Sequence, residues 1–225
     1  MITKHCDGLW TVTHAFLALG VPLTTRMTLA KVSNTEWAAI SPVPLSDESI
    51  QSINSVAQVR YLIAPNNYHH LFINDAKSYW PDARLFVPQS LIAKRPDLES
   101  ANIITADEQF PWSADLQTFP VHGSRMIEEF LFYHSSSKTL VITDLCFNMQ
   151  HPKGIRQTFF TLMTGTKGEL KTSRMIKLLF GDKNAMRESV NNALAMPFER
   201  LIVAHGNIVE SEAAQRLRAA MSWLI

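Results

Sequence analysis

Short apolar segments that end in polar or turn-forming residues recur along this chain of 225 residues, and they constrain its fold most. Their length and content of β-branched residues are typical of buried strands. Several are separated by helical patterns, so the sequence predicts an α/β fold. No linker or internal repeat divides the chain, and we expect one domain over residues 1–225. The predicted strands are 9–12, 27–32, 37–40, 59–64, 84–87, 116–121, 128–133, 139–143 and 201–204.

Helical spacing of apolar residues is found in four regions. One predicted helix starts near Ser46, and the others cover 74–80, 153–196 and 210–224. In the third region an apolar stripe is expected to face the core. Its members are Met175, Leu178, Leu179, Met186, Val190 and Leu194.

Composition excludes several classes of protein. Hydrophobic residues make up 46% and charged residues 18%, which is typical of a globular chain and excludes disorder. A net charge of +1 offers no broad surface for nucleic acid, so no such partner is expected. Without a signal-peptide pattern or a run of about 18 apolar residues, we expect a cytoplasmic protein with no membrane partner. Whether Cys6 and Cys146 pair, and the oligomeric state, stay open.

Five residues that commonly bind metals lie at or just after the ends of predicted strands: His69, His70, His122, Asp144 and His205. Strand ends meet at one edge of an α/β sheet, where ligands usually bind. Imidazole and carboxylate groups together suit zinc, iron or manganese. A histidine at a strand end is more often an ordinary loop residue, and Asp144 could cap a turn. Spacing alone leaves both interpretations open.

Several segments resemble the metallo-β-lactamase superfamily. Residues 119–124, 129–133 and 137–145 resemble its second half, where one strand delivers a metal-binding histidine, a hairpin follows, and the next strand ends in a bridging aspartate. Residues 201–206 resemble its last metal-ligand strand, and 62–71 lie where its His-x-His-x-Asp-His loop is expected. More narrowly, a His-His pair followed by Leu-Phe and an Asp-Leu-x-x-Asn segment resemble the DUF4336 branch.

The resemblance implies a four-layer αββα sandwich and a metal-dependent hydrolase. Such an enzyme would use a metal-activated water on a small-molecule ester, thioester, amide or phosphoester. It implies Asp144 and His69 as catalytic residues and His69, His70, His122, Asp144 and His205 as metal ligands. Zinc or iron is the expected cofactor, with manganese as an alternative.

The loop before the predicted second helix departs from the superfamily pattern. Aligning His70 with the last histidine of the loop places Pro65 and Asn67 at the first two histidines, and His69 at the aspartate. The first metal position therefore loses ligands, and we predict one metal per chain. A register that moves His69 or His70 to an earlier position stays open. So does an alternative function, in which a degenerate member binds metal or ligand without efficient catalysis.

Three other polar residues are candidates for supporting roles. Glu128 or Glu129 could hold a metal-bound histidine through its second ring nitrogen, although at least one of them is expected to face solvent. Asn148 could orient a substrate or a water, but a turn is its more common role.

Overall fold

Two β-sheets pack face to face in the computed structural model, which describes residues 2–18, 20–106, 109–124 and 126–224. The first sheet has its strands in sequence order, antiparallel from β1 to β4 and parallel from β4 to β7. Its strands are β1 (Ile2–Cys6), β2 (Leu9–Ala18), β3 (Val21–Lys31), β4 (Glu36–Ile40), β5 (Gln58–Ile63), β6 (Arg84–Pro88) and β7 (Asn102–Ile104).

The second sheet has the order β11-β10-β9-β8. β10 and β11 are parallel neighbours, and the other pairs are antiparallel. The strands are β8 (Leu116–Val121), β9 (Glu129–His134), β10 (Thr139–Ile142) and β11 (Arg200–Val203).

Helices cover the outer faces of both sheets. The first sheet packs against α1 (Asp47–Asn54), α2 (Ile73–Tyr79) and α3 (Gln89–Lys94), with Ile53 and Ile73 fully buried there. On the second sheet, Met186 and Leu217 are among the buried residues contributed by its helices. The helices in the second half of the chain are α4 (Gly154–Thr164), α5 (Arg174–Leu179), α6 (Lys183–Leu194) and α7 (Ala213–Ala220).

A separate apolar cluster fills the space between the sheets. Leu9 and Ile40 of the first sheet pack with Phe132 of the second. Trp112, from the loop before β8, packs in the same cluster. The order of layers is helix, sheet, sheet, helix. The predicted αββα sandwich is confirmed.

The region 153–196 differs from its prediction as one helical stretch. It contains three helices, because two new helices have their own N-caps: Ser173 accepts from the N–H of Ile176, and Asp182 accepts from the N–H of Asn184. Met175 and Leu178 of the predicted core stripe are 62% and 84% exposed, so their placement in the core was wrong. Met186, Val190 and Leu194 are buried as expected.

Two other sequence questions are answered by the described residues. No helix among them has the length and apolar content needed to cross a bilayer. Cys6 and Cys146 do not pair: both thiols are free, Cys6 is exposed and Cys146 is buried.

Candidate metal centre

Three side chains from distant parts of the chain converge at one edge of the sandwich. Asp144 and His205 follow β10 and β11, whose last residues Ile142 and Val203 are paired in parallel register. Residues two positions beyond a parallel pair lie side by side, so the register brings Asp144 and His205 together. The loop after β5 supplies His69. One donor atom from each of the three lies within 4.8 Å of the others.

Hydrogen bonds and ring stacking fix the His205 ring. Its Nδ1 lies 2.7 Å from the carbonyl oxygen of Thr24, and the Phe147 ring stacks on it with centroids 5.0 Å apart. A carbonyl oxygen only accepts, so Nδ1 carries the proton. The Nε2 atom then faces Asp144 Oδ1 at 3.3 Å.

The backbone around His205 is held by two buried residues. The Arg26 guanidinium donates to the carbonyl oxygens of Val203 and Gly206, on either side of the histidine. Burial lowers the pKa of Arg26 to about 10, which leaves it charged at neutral pH. The N–H of Asn148 donates to the His205 carbonyl oxygen at 3.0 Å. The ligand loop is therefore part of the folded core.

The His69 ring is oriented by Ser41, a residue with a strained backbone. Its Nδ1 lies 2.6 Å from Ser41 Oγ, and its Nε2 lies 3.4 Å from Asp144 Oδ2. Ser41 follows β4 with a φ of +56°, a left-handed conformation that side chains other than glycine rarely adopt. Strain of this kind is concentrated at functional sites.

Asp144 is held by hydrogen bonds at both its backbone N–H and its carboxylate. Glu129 Oε1 accepts from the N–H groups of Thr143 and Asp144, and Asn66 Nδ2 donates to Asp144 Oδ2 at 2.7 Å. Burial raises the pKa of Asp144, but His69 and His205, in their protonated forms, outweigh it and hold this pKa well below its usual range. Burial and the charge of Asp144 raise the pKa of Glu129 to about 7.

The three residues fit a divalent cation. With Nδ1 protonated, a neutral His205 presents the lone pair of Nε2 to a carboxylate oxygen, a repulsive contact unless a second proton or a metal ion lies between them. Zinc–nitrogen bonds of about 2.0–2.1 Å at tetrahedral angles separate two donor atoms by about 3.3–3.4 Å. Each histidine lies at about this spacing from one oxygen of Asp144, His69 Nε2 at 3.4 Å from Oδ2 and His205 Nε2 at 3.3 Å from Oδ1.

A cavity of about 230 Å³ adjoins the cluster. Apolar side chains form much of its wall, and none of the described residues that line it is a lysine or arginine. The lining residues are Phe16, Ala18, Thr25, Ser41, Pro42, Tyr68, His69, Leu71, Phe72, Asp144 and His205. A small, largely apolar molecule could therefore reach the three ligands.

Comparison with known proteins identifies the family. The model of the domain of unknown function DUF4336 matches residues 6–164, which is most of the chain. The chain belongs to the DUF4336 family. No curated protein matches this DUF4336 protein by sequence.

Solved structures share its fold at low sequence identity. A metallo-β-lactamase from Pontibacter korlensis is 10% identical, with a TM-score of 0.65 over 99% of this chain and 98% of that one. The metallo-β-lactamase FIM-1 from Pseudomonas aeruginosa, in its mono-zinc form, is 10% identical, with a TM-score of 0.64 over 100% and 96%. A metal-soaked flavodiiron core from Synechocystis is 13% identical, with a TM-score of 0.65 over 100% and 60%. These likenesses support the fold.

His70, predicted as a ligand, lies outside the cluster in this DUF4336 protein. Its Nδ1 lies 3.3 Å from Arg95 Nη1, and burial together with the charges of Lys94 and Arg95 lowers its pKa to about 4. Asn66 Oδ1 accepts from the N–H groups of Tyr68 and His69, which sets a tight turn. Adjacent side chains leave this turn in different directions, and only that of His69 reaches Asp144.

His122, the other predicted ligand outside the cluster, follows β8 at the edge of the second sheet. Two strand spacings separate β8 from β10, a distance of about 10 Å. The His122 residue is exposed, and it lines a cavity of about 240 Å³ with Glu188 and Asn192 of α6. We expected His70, Asp144 and His205 to meet, with His69 or His122 completing the set; in the structure His69, not His70, joins Asp144 and His205.

The supporting roles also differ from expectation. The Glu129 carboxylate accepts from the backbone N–H of Thr143, just after β10, and not from a histidine ring. The Glu128 carboxylate accepts from the N–H of Ser90. Asn148 binds the His205 loop through its backbone and donates from Nδ2 to the Asn207 carbonyl oxygen. Asn148 forms an isolated β-bridge with Gly206, so neither the turn nor the substrate-orienting role predicted for it is seen.

Sequence reasoning missed Ser41, Asn66 and Arg26. Ser41 carried one usable signal, since it follows a predicted strand as His69 and Asp144 do. Arg26 carried none, because it lies just before a predicted strand and arginine is rarely buried.

Proposed function

We propose that this DUF4336 protein is a metal-dependent hydrolase of a small, uncharged ester, thioester or amide, holding one divalent cation between His69, Asp144 and His205. The convergence of these three donor groups beside a cavity carries the proposal. Three protein ligands leave a tetrahedral cation one open position, as catalytic zinc sites require.

Asp144 and His69 are the proposed catalytic residues. When bound, the cation would supply Lewis acidity, activating a water and polarising the scissile bond. Asp144 is the carboxylate of the cluster and balances the cation's charge. Ser41 fixes the His69 ring through Nδ1, so that its Nε2 is directed to the position beside Asp144 and could hold the cation there.

The cavity favours acyl over phosphoryl substrates. Enzymes acting on phosphoesters commonly place arginine or lysine against the phosphoryl oxygens. The described lining residues include neither, whereas Phe16, Leu71 and Phe72 offer apolar contacts. An apolar acyl group of modest size therefore matches this wall better than a phosphate.

A second candidate function is metal or ligand binding without efficient turnover. One observation favours it: the Asn67 amide, at a position where the superfamily loop has a histidine, donates to the Met126 carbonyl oxygen. That side chain is engaged away from the cluster and does not replace the missing imidazole.

Metal analysis of purified variants tests the site. We expect about one zinc or iron per chain in the wild type. Asp144→Ala and His205→Ala should lose it, because two remaining ligands bind weakly. His122→Ala is the matched control and should retain the metal. Two equivalents per chain, or loss of metal in the control, would contradict the proposed ligand set.

Hydrolysis assays separate the two functions. The metal-loaded protein should cleave uncharged p-nitrophenyl esters faster than bis-p-nitrophenyl phosphate, and Asp144→Ala should abolish ester cleavage. A metal-loaded protein without activity on either class, but with a normal metal content, would favour the second candidate.

A further inference from the structure

Helix α4 has its polar side facing the protein and its apolar side facing solvent. Gln157, Thr161 and Thr164 are buried beneath it. Surface helices of globular proteins normally show the opposite arrangement. The outward row follows helical spacing and consists of Ile155 (88% exposed), Phe159 (64%), Leu162 (54%) and Met163 (59%).

Polar contacts of the buried side support this orientation. Gln157 Nε2 donates to the Pro22 carbonyl oxygen of β3 at 2.9 Å, and Gln157 Oε1 accepts from the N–H of Lys153. At the other end, the buried hydroxyls of Thr164 and Thr166 bond to each other at 2.8 Å. The bond from Gln157 to Pro22 joins α4 to β3, and rotating the helix to bury its apolar row would break it at a cost of about 1 kcal/mol. The outward apolar row is therefore built into the fold.

Basic residues flank the apolar row. Lys153 and Arg156 are exposed at its first turn, and Lys167 is exposed just beyond its last. The Arg174 guanidinium reaches the Met163 carbonyl oxygen at 3.3 Å, which adds a further positive charge at that end. Residues 145–168 contain no aspartate or glutamate, although the whole chain is nearly neutral.

We propose that α4 is a docking surface for a membrane containing anionic lipids, with the helix lying in the plane of the interface. A row of apolar side chains between basic ones is typical of such helices. The positive flanks complement anionic headgroups, each contributing when close to the surface. In a two-fold dimer through this row, the same basic flanks would face each other.

The shape of the surface also favours a lipid partner. Side chains as exposed as Ile155 and Phe159 project from a convex helix, and a protein partner would need a matching groove. Acyl chains adjust to any projecting group. The absence of a long apolar run, which predicted no membrane partner, does not bear on this proposal, because an in-plane helix needs only one apolar face. The proposal is independent of the chemistry at the metal centre.

Vesicle flotation of the full chain tests the proposal. The protein should float with vesicles of equal parts phosphatidylcholine and phosphatidylglycerol, and far less with phosphatidylcholine alone. Sodium chloride at about 1 M, where the Debye length is about 3 Å, should weaken the binding.

Substitutions on and off the row supply the controls. Phe159→Ser should weaken binding at least about tenfold, because the phenyl ring that would be buried in the lipid is removed. Val56→Ser, at another exposed apolar position beyond α1, should leave binding unchanged. Arg156→Gln should weaken binding about fivefold, whereas Arg218→Gln on α7 should not. Thermal unfolding should be unchanged in all four, since these side chains are exposed.

Two results would overturn the proposal. One is wild-type protein that does not float with anionic vesicles, or Phe159→Ser that binds like Val56→Ser. The other is a wild-type dimer that Phe159→Ser converts to a monomer, which would assign the row to a second copy of the chain.

Discussion

Gly206 directly follows His205 and packs against the backbone of the loop that contains Asn148. Replacing Gly206 with alanine should therefore disturb the metal centre, although Gly206 is not itself a ligand. Its φ is +92°, and an added Cβ would lie 2.1 Å from the Asn148 carbonyl oxygen and 3.1 Å from the Met149 nitrogen. Both are backbone atoms that cannot rotate away. The loops must move apart to admit a methyl group.

The magnitude follows from two effects. A left-handed conformation destabilises alanine by about 1–2 kcal/mol. Separating the loops also breaks two backbone hydrogen bonds, from Asn148 to His205 and from Asn207 to Asn148, each worth about 1 kcal/mol. Gly206→Ala should therefore reduce the free energy of unfolding by about 3–4 kcal/mol. In a chain of this size the Tm should fall by about 6–16 °C.

Gly168 provides a matched control. Its φ is +93°, but an added Cβ meets nothing within 4 Å. Gly168→Ala should therefore show only the strain of about 1–2 kcal/mol. Thermal unfolding measures both variants, and metal titration should show weaker binding only in Gly206→Ala, because only that change displaces His205. Equal losses of stability in the two variants would refute the steric argument.

Three further predictions concern other parts of the molecule. Ser41→Gly removes the hydroxyl group that contacts His69, so metal titration should show an affinity about 10–100-fold lower. Because glycine also relieves the left-handed backbone strain, thermal unfolding should show less loss of stability than in Ser41→Ala. Burial lowers the pKa of His134 below 6.5, so the unfolded chain takes up its proton first as the pH falls; stability should decrease below about pH 6.5, and His134→Gln should flatten that dependence in denaturant titrations at several pH values. Burial raises the pKa of Cys146 to about 12, so a thiol reagent should label only Cys6 in the native protein and both thiols in denaturant; fast native labelling of both would contradict the buried environment.

The apolar pattern of the sequence determined the strands that carry the site. The runs before Asp144 and His205 predicted strands ending there, and β10 and β11 end within two residues of these side chains. Both side chains could be singled out because a short buried strand leaves a strong signal, an apolar run that stops at a polar residue. The same signal identified the loop after β5, which holds His69.

Only the tertiary structure decided which candidates meet. Strand order places one strand, β9, between the strands that precede His122 and Asp144, and strand order is a property of long-range pairing that no local pattern encodes. The choice between His69 and His70 depends on the turn that Asn66 sets, because one residue of shift redirects a ring. Residue spacing likewise predicted helix in the region of α4, but which of its faces is buried depends on the hydrogen bonds that Gln157 makes to β3. Local sequence determines where elements begin and end, whereas side-chain direction relative to distant elements depends on packing of the whole chain.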